Sequence, residues 1–204
     1  IVNDSINFRQ CFYGYLPRAH RVSENKIYIL SKDAWVYDIS NKKFSAFKAC
    51  KNYQLPPSLM GYSDAEISLA MSANKIFQIT NRNDSIGLLF QIDEKEVITA
   101  IDCDGRGKIW VGTTEGMGCY DIKAKRYYKI VSQLFSDIDA LRYDPSSERV
   151  WICAQNQLFS YCTKDEKFIQ WNRSDGFHPN EIIFTYQQRP KKNNPYLYFG
   201  GTEG

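Results

Sequence analysis

The sequence predicts an all-β fold: a β-propeller fragment of four-stranded antiparallel blades, with about four complete repeats and a truncated fifth. Three observations carry the prediction. Short apolar or alternating runs, divided by turn formers, recur along the whole chain. A basic or polar residue followed by an aliphatic and an aromatic one returns five times, at roughly the 40–50 residue period of propeller blades. The runs that carry this motif are apolar on both parities, as strands buried on both faces are. A sandwich would leave one wet face per sheet and a cleaner alternation.

The five copies are Lys26-Ile27-Tyr28-Ile29, Lys75-Ile76-Phe77-Gln78, Lys108-Ile109-Trp110-Val111, Arg149-Val150-Trp151-Ile152 and Tyr196-Leu197-Tyr198-Phe199. Each is read as the second strand of its blade. Their starts lie 49, 33, 41 and 47 residues apart, so the step of 33 is the irregular one. The repeats run approximately over 12–50, 60–95, 97–131, 138–172 and 180–204.

In order along the chain, the first repeat adds Trp35-Val36-Tyr37-Asp38-Ile39 and Lys43-Phe44-Ser45-Ala46-Phe47 as third and fourth strands. The second repeat is the least regular; Gly87-Leu88-Leu89-Phe90-Gln91-Ile92 is a strand of undecided rank. The third repeat has a strand near Ile101, a turn at Asp104-Gly105-Arg106-Gly107, then strands through Trp110, Tyr120 and Tyr128. The fourth repeats that plan through Leu141-Arg142-Tyr143, Val150-Trp151-Ile152, Leu158-Phe159-Ser160 and Phe168-Ile169-Gln170-Trp171. The fifth stops in mid-blade, and residues 6–15 are a candidate either for the strand that closes a ring or for the outer strand of a neighbouring blade. Trp110 and Trp151 hold equivalent positions and are expected in the core. Trp35 and Trp171 are expected between blades.

A chain that is 43% hydrophobic and 15% aromatic can bury a large core. Its net charge of +3 is dispersed, and the densest basic cluster is Arg189-Pro190-Lys191-Lys192, which argues against nucleic acid as a partner. No run of about 18 apolar residues occurs, so any membrane attachment would come from segments outside this chain. The cysteines at 11, 50, 103, 119, 153 and 162 form no Cys-x-x-Cys pair and fit no zinc pattern, so no metal is expected. The proposed registers set neither Cys103 beside Cys119 nor Cys153 beside Cys162, which points to unpaired thiols.

Catalytic material is thin. The two histidines are His20 and His178, and no nucleophile elbow, zincin motif or phosphate loop is present. Asp102-Cys103-Asp104-Gly105-Arg106-Gly107 lacks the ligand set of a calcium loop and reads as a tight turn. No catalytic residue and no cofactor is expected. If the fold were instead that of a propeller lyase or glycosidase, Glu115, Glu181 and Asp137 would be its candidate carboxylates. A protein-binding scaffold is the other alternative.

The string from Lys108 to Met117, with Asp104-Gly105-Arg106-Gly107 before it and Tyr120-Asp121 after it, resembles the two-component regulator propeller repeat. Met117 stands where that repeat usually has Leu, and the fourth repeat has Cys153-Ala154 in place of Gly-Thr. Asp175-Gly176-Phe177-His178-Pro179-Asn180-Glu181 and Tyr198-Phe199-Gly200-Gly201-Thr202-Glu203-Gly204 resemble the last blade of such propellers. That family supplies the periplasmic sensor domains of Bacteroides-type hybrid two-component histidine kinases. The resemblance implies a non-catalytic sensor in the periplasm, an oligosaccharide or other small polar ligand, and a homodimeric full receptor. It also implies a membrane helix and kinase beyond this chain.

Ligands of propellers usually meet the loops between second and third strands and those between blades, which open on one face. The candidate ligand-binding residues are therefore Lys32, Asp33, Thr114, Glu115, Gln155, Asn156, His178 and Asn180. Their polar groups suit a hydroxyl-rich ligand in a concave site. Phe177 and Tyr62 are candidate stacking aromatics.

Overall fold

The computed structural model describes residues 18–21, 25–30, 34–48, 59–63, 67–80, 82–130 and 134–176, with the backbone alone at 18–21, 30, 59–63, 67 and 173. These residues form sixteen strands, arranged as four four-stranded antiparallel sheets in which every strand pairs with its neighbours in sequence. A short 3-10 turn follows at Arg173–Asp175. The chain divides into two compact units, Ile1–Gln91 and Ile92–Gly204.

The first unit holds β1 (Arg18–Arg21), β2 (Lys26–Leu30), β3 (Trp35–Asp38) and β4 (Lys43–Ala46) in one sheet. Its second sheet holds β5 (Leu59–Ser63), β6 (Ile67–Ser72), β7 (Lys75–Thr80) and β8 (Ser85–Gln91). Tyr28, Ala34, Val36 and Phe47 of the first sheet pack against Ala70 and Ile79 of the second. Tyr28 stacks on Phe47 at 5.1 Å, and its hydroxyl donates to Asp84 at 2.6 Å. The Lys26 ammonium meets the same carboxylate at 2.8 Å, so one turn residue of the second sheet gathers two side chains of the first.

The second unit holds β9 (Ile98–Cys103), β10 (Lys108–Thr113), β11 (Gly116–Asp121) and β12 (Arg126–Ile130) in one sheet. The other sheet holds β13 (Ile138–Asp144), β14 (Arg149–Ala154), β15 (Gln157–Cys162) and β16 (Lys167–Trp171). Ala100, Trp110, Met117 and Cys119 of the former pack on Leu141, Tyr143, Val150, Ile152, Phe159 and Tyr161 of the latter. Trp110 stacks on Tyr143 and takes Tyr161 on its edge, at centroid distances of 6.4 and 5.9 Å. Each large aliphatic or aromatic side chain among these contributes roughly 1.5–3 kcal/mol before its lost conformational entropy is subtracted. Along the inner strands Asp102, 1% exposed, accepts from the Tyr143 amide at 2.8 Å and pairs with Arg142 at 3.3 Å.

The repeat is more regular than its sequence. Second strands start at Lys26, Ile67, Lys108 and Arg149, a step of 41 residues each time. Lys75–Thr80, expected as a second strand, is the third strand of its sheet, and the expected step of 33 disappears with that correction. The true second strand, Ile67–Ser72, carries Ser68 and Ala70, both fully buried, where the other sheets have no comparably small pair. It therefore lacks the basic–aliphatic–aromatic signature, which Lys75-Ile76-Phe77 imitates one strand later. Gly87 lies in β8, the fourth strand.

Turn chemistry repeats too. The loops between third and fourth strands each end in a left-handed residue: Lys42, Asp84, Lys125 and Glu166, with φ between 51° and 55°. At the turn first compared with a calcium loop, one Asp104 carboxylate oxygen accepts the amides of Arg106 and Lys108 at 2.7 and 2.9 Å. Gly105 and Gly107 there have φ of 72° and 112°, open to glycine and costly for other residues. This is the turn that the sequence indicates.

Trp110 is buried as expected, but Trp151 is only half-buried. One repeat step puts Trp151 on the face of its sheet that corresponds to the Trp110 face, which in the preceding sheet is covered by β13–β16. No such covering sheet is among the described residues, and Trp151 instead lies 5.3 Å from Trp171, beside Cys153 and Leu158. Trp35 is also half-buried. Cys103, Cys119, Cys153 and Cys162 are buried and form no disulfide among the described residues; Cys11 and Cys50 lie outside the described residues.

Candidate functional site

Of the eight candidate ligand-binding residues, Lys32, Asp33, His178 and Asn180 lie outside the described residues, as do Phe177 and Glu181. Only the backbone of Tyr62 and His20 is described. Thr114, Glu115, Gln155 and Asn156 all belong to the second unit, where they occupy equivalent two-residue turns. Thr114–Glu115 joins β10 to β11, closed by the Thr113–Gly116 pair. Gln155–Asn156 joins β14 to β15, closed by Ala154–Gln157.

Both Gln155 and Asn156 are left-handed, at φ of 53° and 59°, the geometry of a tight type I′ hairpin. Asn tolerates this conformation; Gln does so less readily, and its position carries some strain. The Gln155 amide nitrogen donates to the Ser136 hydroxyl at 3.1 Å, which ties the turn to the segment leading into β13. The first turn solves the same problem with Gly116, at φ 123°, just after it.

Thr114 holds the two incoming segments together. Its amide donates to the Val97 carbonyl at 3.0 Å, and its hydroxyl oxygen accepts from the Val97 amide at 3.2 Å. Its carbonyl accepts from the Asp137 amide at 3.0 Å. The segments that lead into β9 and β13 therefore both hang on this one residue. Beneath it, Thr113 accepts from the Glu115 amide at 3.0 Å and donates toward Glu96 at 2.9 Å, with the Gly116 carbonyl at 3.1 Å. The other Glu96 oxygen takes the Lys129 ammonium at 2.6 Å. Burial pushes the nearby Tyr127 phenol well above its ordinary range, and the Glu96 charge adds to that shift. Glu96 is buried and fully engaged, so it anchors the end of the sheet, while Glu115, Gln155 and Asn156 are exposed.

Sequence reasoning missed a second feature at this end. The register of β9 against β10 leaves Thr99 as an extra residue, and that of β13 against β14 leaves Asp139 as one. In the first unit β5 carries the same device at Gly61. A bulge removes one residue from the ladder and re-aims the side chains around it. Because Ile98 pairs with Thr113 and Ile138 with Ala154, both bulges of the second unit sit beside the turns just described. Only the inner-strand position of these residues could have hinted at them; a bulge is a property of two strands in register.

No family model and no curated protein matches the chain. Solved structures do. The chain is similar to the extracellular domain of BT4673 from B. thetaiotaomicron, described as a one-component system, with a TM-score of 0.57 and 13% identity over 84% of this chain. A second structure of BT4673, described as a hybrid two-component system, has a TM-score of 0.60 and 13% identity over 76% of this chain. The chain spans 22% and 21% of those two structures, about a fifth of their length. At this identity the likeness concerns the fold.

Proposed function

We propose that this chain is part of a β-propeller that senses a ligand outside the cytoplasm, as the non-catalytic input of a two-component receptor. The observation that carries the reading is the 41-residue, four-stranded repeat, whose fold is similar to that of an extracellular domain named as part of a hybrid two-component system. The turns that bear Glu115, Gln155 and Asn156 present exposed carboxylate and carboxamide groups on a framework fixed by Thr114 and Glu96. Such groups suit a small polar ligand, with an oligosaccharide as the leading candidate. In this reading Lys32, Asp33, His178 and Asn180, which lie outside the described residues, are further candidate ligand contacts. The domain sits in the periplasm, and the full receptor works as a homodimer with a membrane helix and histidine kinase encoded downstream.

Determining the parent reading frame beyond residue 204 tests the reading. A membrane-spanning segment followed by a kinase domain is expected. A frame that closes shortly after the propeller with neither would overturn it.

A further inference from the structure

Among the described residues, the last sheet of the second unit is closed on one face only. Leu141, Ile152 and Phe159 share the face that packs against β9–β12. The opposite face carries Trp151 and Ile169 in one row and Ala140, Cys153, Leu158 and Trp171 in the next. Trp151 is half-buried and Ile169 is 41% exposed. An apolar face of this kind is stable only against another apolar surface.

The preceding sheet shows how such a face is closed. Its matching face, built around Trp110 and Met117, is covered by the strands that come next in the chain, through Leu141 and Tyr143 of β13 and Val150 and Ile152 of β14. The first unit follows the same rule: the face of Tyr28 and Val36 packs on Ala70 and Ile79 of the sheet that follows it. After the last sheet the sequence carries a matching cover. Ile182, Phe184 and Tyr186 alternate within a stretch that holds no charge from 182 to 188. Tyr196-Leu197-Tyr198-Phe199 then repeats the pattern of Arg149-Val150-Trp151-Ile152. Alternation of this kind marks strands that bury one face.

From this sequential covering we infer that residues 182–199 of the same chain close the Trp151 face. Phe184 and Tyr186 stand where Leu141 and Tyr143 stand one repeat earlier, and Leu197 and Phe199 stand where Val150 and Ile152 do. The tether favours this occupant over a second copy. Ten residues, 172–181, separate Trp171 from Ile182. At about 3.3–3.6 Å per residue they can cross the sheet edge, and a linker this short holds its segment at an effective concentration of about a millimolar. The inference does not depend on the sensing reading.

Hydroxyl-radical footprinting of the full parent protein, read residue by residue by mass spectrometry, tests it. Trp151 should be oxidised as slowly as the buried Trp110, at every protein concentration. Leu197→Ala with Phe199→Ala should raise Trp151 oxidation several-fold and leave Trp110 unchanged. Should that pair unfold the domain, seen as a matching rise at Trp110, Phe184→Ala alone is read in the same way. Rapid oxidation of Trp151 in the unaltered protein overturns the inference. Slow oxidation that the variants leave unchanged also overturns it and assigns the cover to another segment. Protection that is lost on dilution overturns it in favour of a second copy.

Discussion

Gly112 is where the two sheets of the second unit approach most closely among the glycines of that core. A Cβ built there would lie 2.6 Å from Ile138 Cγ2, 3.1 Å from Ile138 Cβ and 3.3 Å from Ala100 Cβ. Ordinary carbon contacts are about 3.5–4 Å, so Ile138 must retreat by about 1 Å. Ile138 is 1% exposed, on the inner strand of the neighbouring sheet, and has little room to move. Gly112→Ala should therefore cost about 1–3 kcal/mol, the range for overpacking a dense core. For a chain of this size that is a fall in melting temperature of roughly 2–4 °C per kcal/mol. Ile138→Ala alone should cost about 2–5 kcal/mol by leaving a cavity. The informative quantity is the double variant, because the new methyl occupies part of the space that the isoleucine leaves. Its cost in urea unfolding should be smaller than the sum of the single costs by about 1 kcal/mol or more. Strict additivity, or a neutral Gly112→Ala, would refute the close stacking of β10 on β13. The same geometry accounts for Cys153 at the equivalent place one repeat later, on a face where no covering strand lies within the described residues.

Other perturbations have defined outcomes. Arg142→Met removes the guanidinium partner of the buried Asp102 carboxylate and should cost about 3–5 kcal/mol, read from the urea midpoint. Burial pushes the Cys119 thiol up to about 12, so its proton is held more tightly in the folded chain than in the unfolded one. The stabilisation is fully present below the ordinary thiol range and is lost as pH rises from there toward about 12; Cys119→Ala should flatten that alkaline limb. Native Cys119 and Cys153 should also resist alkylation at pH 8 on a timescale of hours and react at once in urea; fast native labelling would show them accessible. At Asp144, burial favours the protonated acid, but bonds from Ser146 at 2.6 and 2.9 Å and from Ser147 at 2.5 Å outweigh it and hold the carboxyl below its ordinary range. Its contribution is therefore present above the ordinary carboxylate range and lost as pH falls through the lowered value. Ser146→Ala with Ser147→Ala should weaken the acid dependence of stability, and an unchanged acid limb would contradict the assignment.

Much of the fold was legible because the signals are local. Alternation, turn formers and the doubly apolar Lys108–Thr113 strand identify four-stranded antiparallel sheets without any knowledge of their packing. The failure at Lys75 has a physical cause. A basic residue, an aliphatic and an aromatic mark a strand that leaves a turn into a core, and a third strand can satisfy that description as well as a second. Only the pairing of Ile67–Ser72 between β5 and β7 decides the rank. The half-burial of Trp151 was equally hidden, since it depends on what covers a face and not on the residue. At the candidate site the turns were legible, because two polar residues between apolar strands announce a hairpin. The roles within them were not: Thr114 and Glu115 look alike in sequence, yet one clamps two segments and the other is free to meet a partner. Glu96, two residues before β9 begins, gave no sign that its carboxylate would be buried beneath Thr113. The bulges at Thr99 and Asp139 lay beyond sequence reasoning altogether.

The central claim is that the chain senses a ligand for a kinase. It is tested most directly by measuring phosphoryl incorporation from ATP in membrane vesicles carrying the full parent protein, with and without a mixture of neutral hexose oligomers. The account predicts incorporation that changes several-fold on adding the oligomers and a change that shrinks in the Glu115→Ala variant. A parent protein that incorporates no phosphate under either condition would contradict it.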